Sequence, residues 1–269
     1  MARQCESLGI RALVALESYN SLCTNSKYFC SWDLSVYRDK NGGPLSQASD
    51  FWTSAPAYAA FQSYARQVVA RWGASPAVFA WQMFNEMDGA LGGVLPVATY
   101  WLGNITTYVA SIDGHHHLIT NSYAGESGLK QDDLLPHISF TTTHAYEGGD
   151  LAGTLAHYSA IKSTYGKPTY SGEFGRNASP RLTQLILHNG MWGTIAQLGA
   201  ASGACWYDVW HTTWAGGSAR WWMSFSFHVV ATAAAGGGKA CSLVRGWTST
   251  PPLPRSWSRC PCTSTSGRC

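Results

Sequence analysis

Short apolar runs alternate with longer amphipathic stretches along most of this chain, and that alternation limits its possible folds more than any other feature. Ile10–Leu16, Ala77–Phe84, His117–Asn121, Ile138–Thr143, Pro168–Gly172 and Gly203–Asp208 have the length and composition of buried strands. Between them, residues 55–72, Val97–Ile112 and Leu151–Tyr165 space apolar side chains by three and four, the helical period. Gly166 is placed to stop the third of these helices, and Ser179-Pro180 offers N-cap and N1 residues for another. Parallel strands joined by helical crossovers build either an open doubly wound sheet or a closed barrel, and periodicity does not choose between the two. A (β/α)8 barrel takes ~250 residues, so a chain of 269 residues is read first as one domain.

Beyond about residue 215 the alternation fails. Residues 231–240 are Ala- and Gly-rich, and 248–269 are rich in Pro, Ser, Thr, Arg and Cys. The expected division is an α/β domain over 1–215 and a low-complexity, disordered tail over 216–269. Residues 1–208 carry 12 Lys/Arg and all 15 acids, whereas 209–269 carry six Lys/Arg and no acid, a net of −3 against +6. Those six basic residues (Arg220, Lys239, Arg245, Arg255, Arg259, Arg268) are scattered singly, which argues against a nucleic-acid patch. No apolar run approaches the ~18 residues of a membrane span. The eight cysteines include no CxxC pair, so a zinc ribbon is not supported; Cys23 and Cys30 could close a small disulfide loop in an oxidising compartment. The N-terminal Met-Ala-Arg-Gln-Cys lacks a signal-peptide apolar core.

Two acids stand out by position. Glu86 follows a strand in AVFAWQMFNEMDG, and Glu173 follows another in KPTYSGEFG. The C-terminal ends of parallel strands are where barrels and open α/β sheets place their active sites. A carboxylate there costs desolvation unless it is partnered, so each acid is either a strand-end ion pair or a working group, and two together favour work. Thirteen Trp and 13 Tyr, against 12% charged residues, suit either an aromatic core or stacking on sugar rings. Trp32, Trp52, Trp101, Trp210 and Trp214 are candidate subsite walls, while Asp88 and Asp208 flank the acids, with loop capping the simpler role for Asp88. Glu126 and Glu147 also fall on strand-end loops, in no recognised motif. His115-His116-His117 resembles a metal tract but sits where a helix leads into a strand, so only alternate members could face one way. No Walker loop, GxGxxG or GxSxG is present.

Asn85-Glu86, His144-Ala145-Tyr146, Gly172-Glu173-Phe174-Gly175 and Trp206, in that order on successive strands, resemble the family-5 glycoside hydrolases of the large retaining barrel clan, over roughly residues 8–212. The resemblance implies a (β/α)8 TIM barrel that hydrolyses β-linked polysaccharides, β-mannan or β-1,4-glucan foremost, by double displacement. Glu86 would be the acid/base, its pKa raised by burial and nearby negative charge. Glu173 would be the nucleophile, held ionised by donors such as Tyr146. Asn85 would bind the sugar 2-hydroxyl, His144 would link the two acids, Trp206 would form the subsite floor, and Asp208 would bind sugar hydroxyls. No cofactor and no metal are implied. The expected partner is a carbohydrate substrate, with no nucleic acid and no membrane, for a monomer that is secreted in its full-length form.

The chain also departs from that pattern. Ile10–Leu16 resembles the third barrel strand, so strands three to eight are expected and the first two are not found. The Arg that family members carry at the end of the second strand has no counterpart here. Six strands cannot close as eight do, because strand number, tilt and shear are linked. A partial gene is therefore expected, with an unpaired edge at Ile10–Leu16. A catalytically inactive carbohydrate-binding barrel and an open-sheet α/β enzyme remain as alternatives. The long loop from Ser18 to Pro44 resembles mannanases more than cellulases.

Overall fold

The computed structural model describes residues 2–9, 11–24, 30–124, 129–146, 150–175, 189–190, 192–193 and 201–205. The helix expected from Ser179-Pro180 and the tail 216–269 lie outside the described residues. In chain order the elements are α1 (Ala2–Leu8), β1 (Ala12–Ala15), α2 (Ala55–Trp72), β2 (Val78–Gln82), α3 (Pro96–Ile112), β3 (Leu118–Thr120), α4 (Lys130–Asp133), β4 (Thr141–Ala145), α5 (Leu151–Ser163), β5 (Thr169–Phe174) and β6 (Ala201–Cys205).

The helices begin where their capping chemistry dictates. Ser54 accepts the amide of Ala57 at the start of α2, and Asp150 accepts that of Gly153 at the start of α5. Pro96 opens α3 without leaving a donor unpaired. Ala57, Phe61, Ala65, Val68 and Val69 form the buried stripe of α2, and Ala98, Trp101, Leu102, Ile105 and Val109 that of α3. Both stripes pack on a core centred on Phe51, whose ring meets those of Tyr37, Trp52, Phe61, Phe84 and Trp101 at centroid distances of 4.9–6.4 Å. Cys23 and Cys30 form a disulfide in the loop between β1 and α2.

The strands are parallel and lie in sequential order, β1–β2–β3 in one sheet and β4–β5–β6 in the other. Sequential order is barrel winding; a doubly wound sheet reverses direction at a switch point. Across the seam no ladder forms among the described residues, but Ser139 N donates to Ile119 O at 2.7 Å and the hydroxyls of Thr120 and Thr142 meet at 2.9 Å. Leu13 and Ala80 from the first sheet and Tyr170 from the second share one cluster with Phe79 and Phe140. The two sheets thus curve towards a common interior. Among the described residues β1 pairs with β2 alone and β6 with β5 alone, so the architecture is an incomplete (β/α) barrel rather than a closed ring.

Strand bounds differ from the sequence expectation at one instructive place. The run Ile138–Thr143 was expected as a strand, but β4 is Thr141–Ala145 and β5 runs on to Phe174. Thr142 pairs with Tyr170 and Thr143 with Ser171, after which the register shifts so that His144 pairs with Glu173. Gly172 is the extra residue of this bulge. Tyr170 faces the interior, so plain alternation would turn Glu173 outward; the bulge turns it back in. A Cβ at Gly172 would lie 2.6 Å from Thr142 Cγ2 and 3.2 Å from His144 Nε2, so the position demands glycine.

Candidate active site

Glu86 and Glu173 reach the same point from different sheets. Their meeting place is His144, almost fully buried, whose Nδ1 lies 2.8 Å from Glu86 Oε1 and 3.6 Å from Glu173 Oε2. One ligand-type atom from each of the three residues falls within 4.8 Å of the others. The two carboxyl side chains keep 14% and 22% of their surface exposed, which leaves them open to a substrate. Tyr146 donates its hydroxyl to Glu173 Oε2. Two carboxylates and an imidazole could in principle ligate a cation. The short Nδ1–Oε1 contact is equally the hydrogen bond that a proton-handling pair requires.

Glu86 stands on a turn of unusual geometry. Its φ of 51° and ψ of 56° are left-handed, a conformation costing of order 1–3 kcal/mol for a residue with a side chain. The turn is held by long-range bonds: Asn85 N donates to Glu17 O at 2.8 Å, Glu86 N to Ser122 Oγ at 3.0 Å, and Met87 N to Ser122 O at 3.0 Å. Glu173 is held differently. Burial pushes its carboxyl above the ordinary glutamate range, and the facing charge of Glu86 adds to this. The charge of His144 and the Tyr146 hydroxyl pull the other way without reversing it. The expected donor is present, but burial outweighs it.

The remaining candidates sort clearly. Asn85 lies beside Glu86, its side-chain oxygen accepting from Gln82 Nε2 at 2.9 Å. Asp88 accepts the amide of Ala124 at 2.7 Å, a loop-bracing contact. Trp32, Trp52 and Trp101 are core residues rather than subsite walls, each at most 7% exposed and packed in the Phe51 cluster. Trp206, Asp208, Trp210, Trp214, Glu126 and Glu147 lie outside the described residues. In the histidine tract, Asp113 accepts from the backbone of His115 and from both the backbone and Nδ1 of His117, so the segment builds a turn. Gln82 and Ser122 were not anticipated. The available signal was Ser122's position just past β3, the same kind of place that drew attention to Glu86.

No family model matches the chain. A protein of Aspergillus terreus named "Probable mannan endo-1,4-beta-mannosidase A-2" is 33% identical over 123 residues, covering 46% of this chain and 29% of its own length. The mannan endo-1,4-β-mannosidase A of Hypocrea jecorina is 26% identical over 233 residues, covering 73% of this chain and 51% of its own. The link is to the mannanase-like glycoside hydrolases. It is a family-level link, for the chain spans about half or less of the length of these relatives. Among solved structures, the endo-β-1,4-mannanase of Thermotoga petrophila superposes with a TM-score of 0.58 at 17% identity, over 76% of this chain and 50% of that one. The family 5 mannosidase of Rhizomucor miehei gives a TM-score of 0.50 at 15% identity, over 76% and 62%. These two share the fold. In sequence the chain is similar to glycoside hydrolases of this kind over part of their length.

Proposed function

We propose that this chain acts as a retaining family-5 glycoside hydrolase on β-1,4-mannan, with Glu173 as nucleophile and Glu86 as general acid/base. The observation that carries the reading is the convergence of the two carboxyls from separate sheets on the buried His144. Double displacement needs carboxyls ~5–5.5 Å apart, whereas inversion needs ~6.5–9.5 Å to admit a water. An approach of carboxylate oxygens within 4.8 Å is compatible with the former. Mannan is preferred over glucan because the similar curated proteins carry mannan endo-1,4-β-mannosidase names.

In the first step the Glu86 carboxyl protonates the glycosidic oxygen as Glu173 attacks the anomeric carbon from the opposite face. The carbon–oxygen bond breaks, an ester forms, and configuration inverts. In the second step Glu86, now a carboxylate, removes a proton from water, which attacks the same carbon and releases Glu173 with a second inversion. Tyr146 holds Glu173 Oε2 until the ester forms. Asn85 binds the 2-hydroxyl, while Trp206 and Asp208 would floor and flank the sugar. Glu173 must be ionised to attack, so its upward-shifted pKa sets the acid limb of the pH profile above the ordinary glutamate range.

The test is hydrolysis of mannan, β-1,4-glucan and xylan with the product anomer followed by NMR from the first minutes. Mannan should be cut fastest and the β-anomer should appear first. An α-anomer appearing first would mean inversion. Binding of these polymers without cleavage would mean an inactive carbohydrate-binding barrel.

A further inference from the structure

We propose that Ser122 is a positioning residue for the Asn85–Glu86 pair. Its hydroxyl holds the acid/base turn in place and fixes the Asn85 amide as a donor towards the sugar 2-hydroxyl, an inference that rests on the function proposed above. Ser122 is fully buried and bonds to a continuous run of the turn. Its amide donates to Phe84 O at 3.2 Å, its carbonyl accepts from Met87 N at 3.0 Å, and its Oγ accepts from Glu86 N at 3.0 Å. Glu86 and His116 are the residues other than glycine with positive φ among the described residues. A strained turn persists only where its surroundings over-determine it, and Ser122 supplies three of the bonds that do so here.

The same hydroxyl decides which way Asn85 faces. Phe84 O can only accept, so the Gln82 side-chain atom 3.3 Å from it is the Nε2 donor. The two protons of that Nε2 point to its nearer acceptors, Asn85 Oδ1 at 2.9 Å and Ser122 Oγ at 2.8 Å, with the longer contact to Phe84 O shared. With both acceptor sites of Ser122 Oγ filled by Glu86 N and Gln82 Nε2, its single proton goes to Asn85 Oδ1 at 3.3 Å. Asn85 Oδ1 therefore has two donors behind it. The amide nitrogen, on the other side of the group, is left to donate forward to the oxygen of a sugar 2-hydroxyl.

The inference is tested by steady-state kinetics of the unaltered chain, Ser122→Ala and Gln82→Met on paired aryl β-mannosides with and without the 2-hydroxyl. Circular dichroism and melting are run alongside. Ser122→Ala should lower kcat on the 2-hydroxy substrate ~10–100-fold, the scale of a small misplacement of reacting groups, with KM changed far less. Because Asn85 is no longer aimed, the penalty for lacking the 2-hydroxyl should shrink in Ser122→Ala. Gln82→Met should shrink it in the same direction, and it serves as the readout if Ser122→Ala does not fold. Equal losses on both substrates would overturn the aiming of Asn85 and leave only the hold on the Glu86 turn, and unchanged kcat in folded variants would overturn the positioning role whole, with the hydrolase reading intact in either case. An unaltered chain inactive on mannan and on both mannosides would remove that reading and this inference with it.

Discussion

Among the described residues, the sheet carrying Glu86 and the sheet carrying Glu173 bury different kinds of side chain. Behind β1–β3 lies a large aromatic core in which Phe51, Phe61, Trp81, Phe84 and Trp101 are nearly or fully buried. Behind β4–β6 the described apolar cluster is Ala145, Leu155, Tyr158 and Phe174, and the strands bury polar residues instead: Thr141, Thr142, Thr143, Thr169 and Ser171. A buried ion pair, Lys162 with Asp133, ties α5 to α4. The acid/base thus sits on a turn bonded into a dense core. The nucleophile sits in a strand beside buried hydroxyls, its charge state set by burial and by three neighbours, His144, Tyr146 and Glu86. One carboxyl is governed mainly by where its backbone is held, the other mainly by electrostatics.

The largest expected effect is on the electrostatic side. Glu173→Ala removes the nucleophile, so activity should fall by several orders of magnitude on every substrate, and azide should restore turnover with the α-mannosyl azide as product. Glu86→Ala removes proton donation, worth ~10²–10⁴-fold. The loss should be large for mannan and small for glycosylation by a dinitrophenyl mannoside, and azide should now give the β-mannosyl azide. If both variants gave the same azide anomer, the division of labour between the two sheets would be broken.

Core substitutions sharpen the structural half of the comparison. Phe51→Ala should cost about 3–5 kcal/mol in urea unfolding, and Leu155→Ala should fall towards the low end of about 2–5 kcal/mol. A larger loss at Leu155 would mean that the second sheet, not the first, carries the stability.

The smallest effect is a pH dependence. The folded-state pKa of Glu173 lies above its ordinary value of 4.5, so the folded protein holds that proton more tightly than the unfolded chain. The associated stability is complete below 4.5 and is lost as pH rises through the raised value. Glu173→Gln, neutral throughout, should therefore gain in melting temperature relative to the unaltered protein on going from acid to neutral pH. A constant difference across that window would remove the buried-charge account.

Much of this arrangement was legible in the residues. The strands and helices followed from periodicity, Glu86 and Glu173 from acids at strand ends, and His144 and Tyr146 from the resemblance to the family-5 pattern. What escaped depends on pairing between distant segments. The bulge at Gly172 is set by register against β4, so the chain alone gave no sign that β4 and β5 extend through His144 and Glu173. The left-handed backbone of Glu86 carries no glycine to announce it. Trp52 and Trp101 look the same in sequence whether they line a subsite or fill a core. Gln82 and Ser122 work only because β2 and β3 bring residues forty positions apart into contact.

The most direct measurement of the central claim is covalent trapping. The protein is incubated with a 2-deoxy-2-fluoro mannosyl fluoride, which slows both steps but forms the ester readily, and the labelled peptide is sequenced by mass spectrometry. The account predicts one sugar per chain, attached to Glu173, with labelling abolished in Glu173→Gln. A sugar on Glu86, or an enzyme that cleaves mannan yet never carries a label, would contradict it.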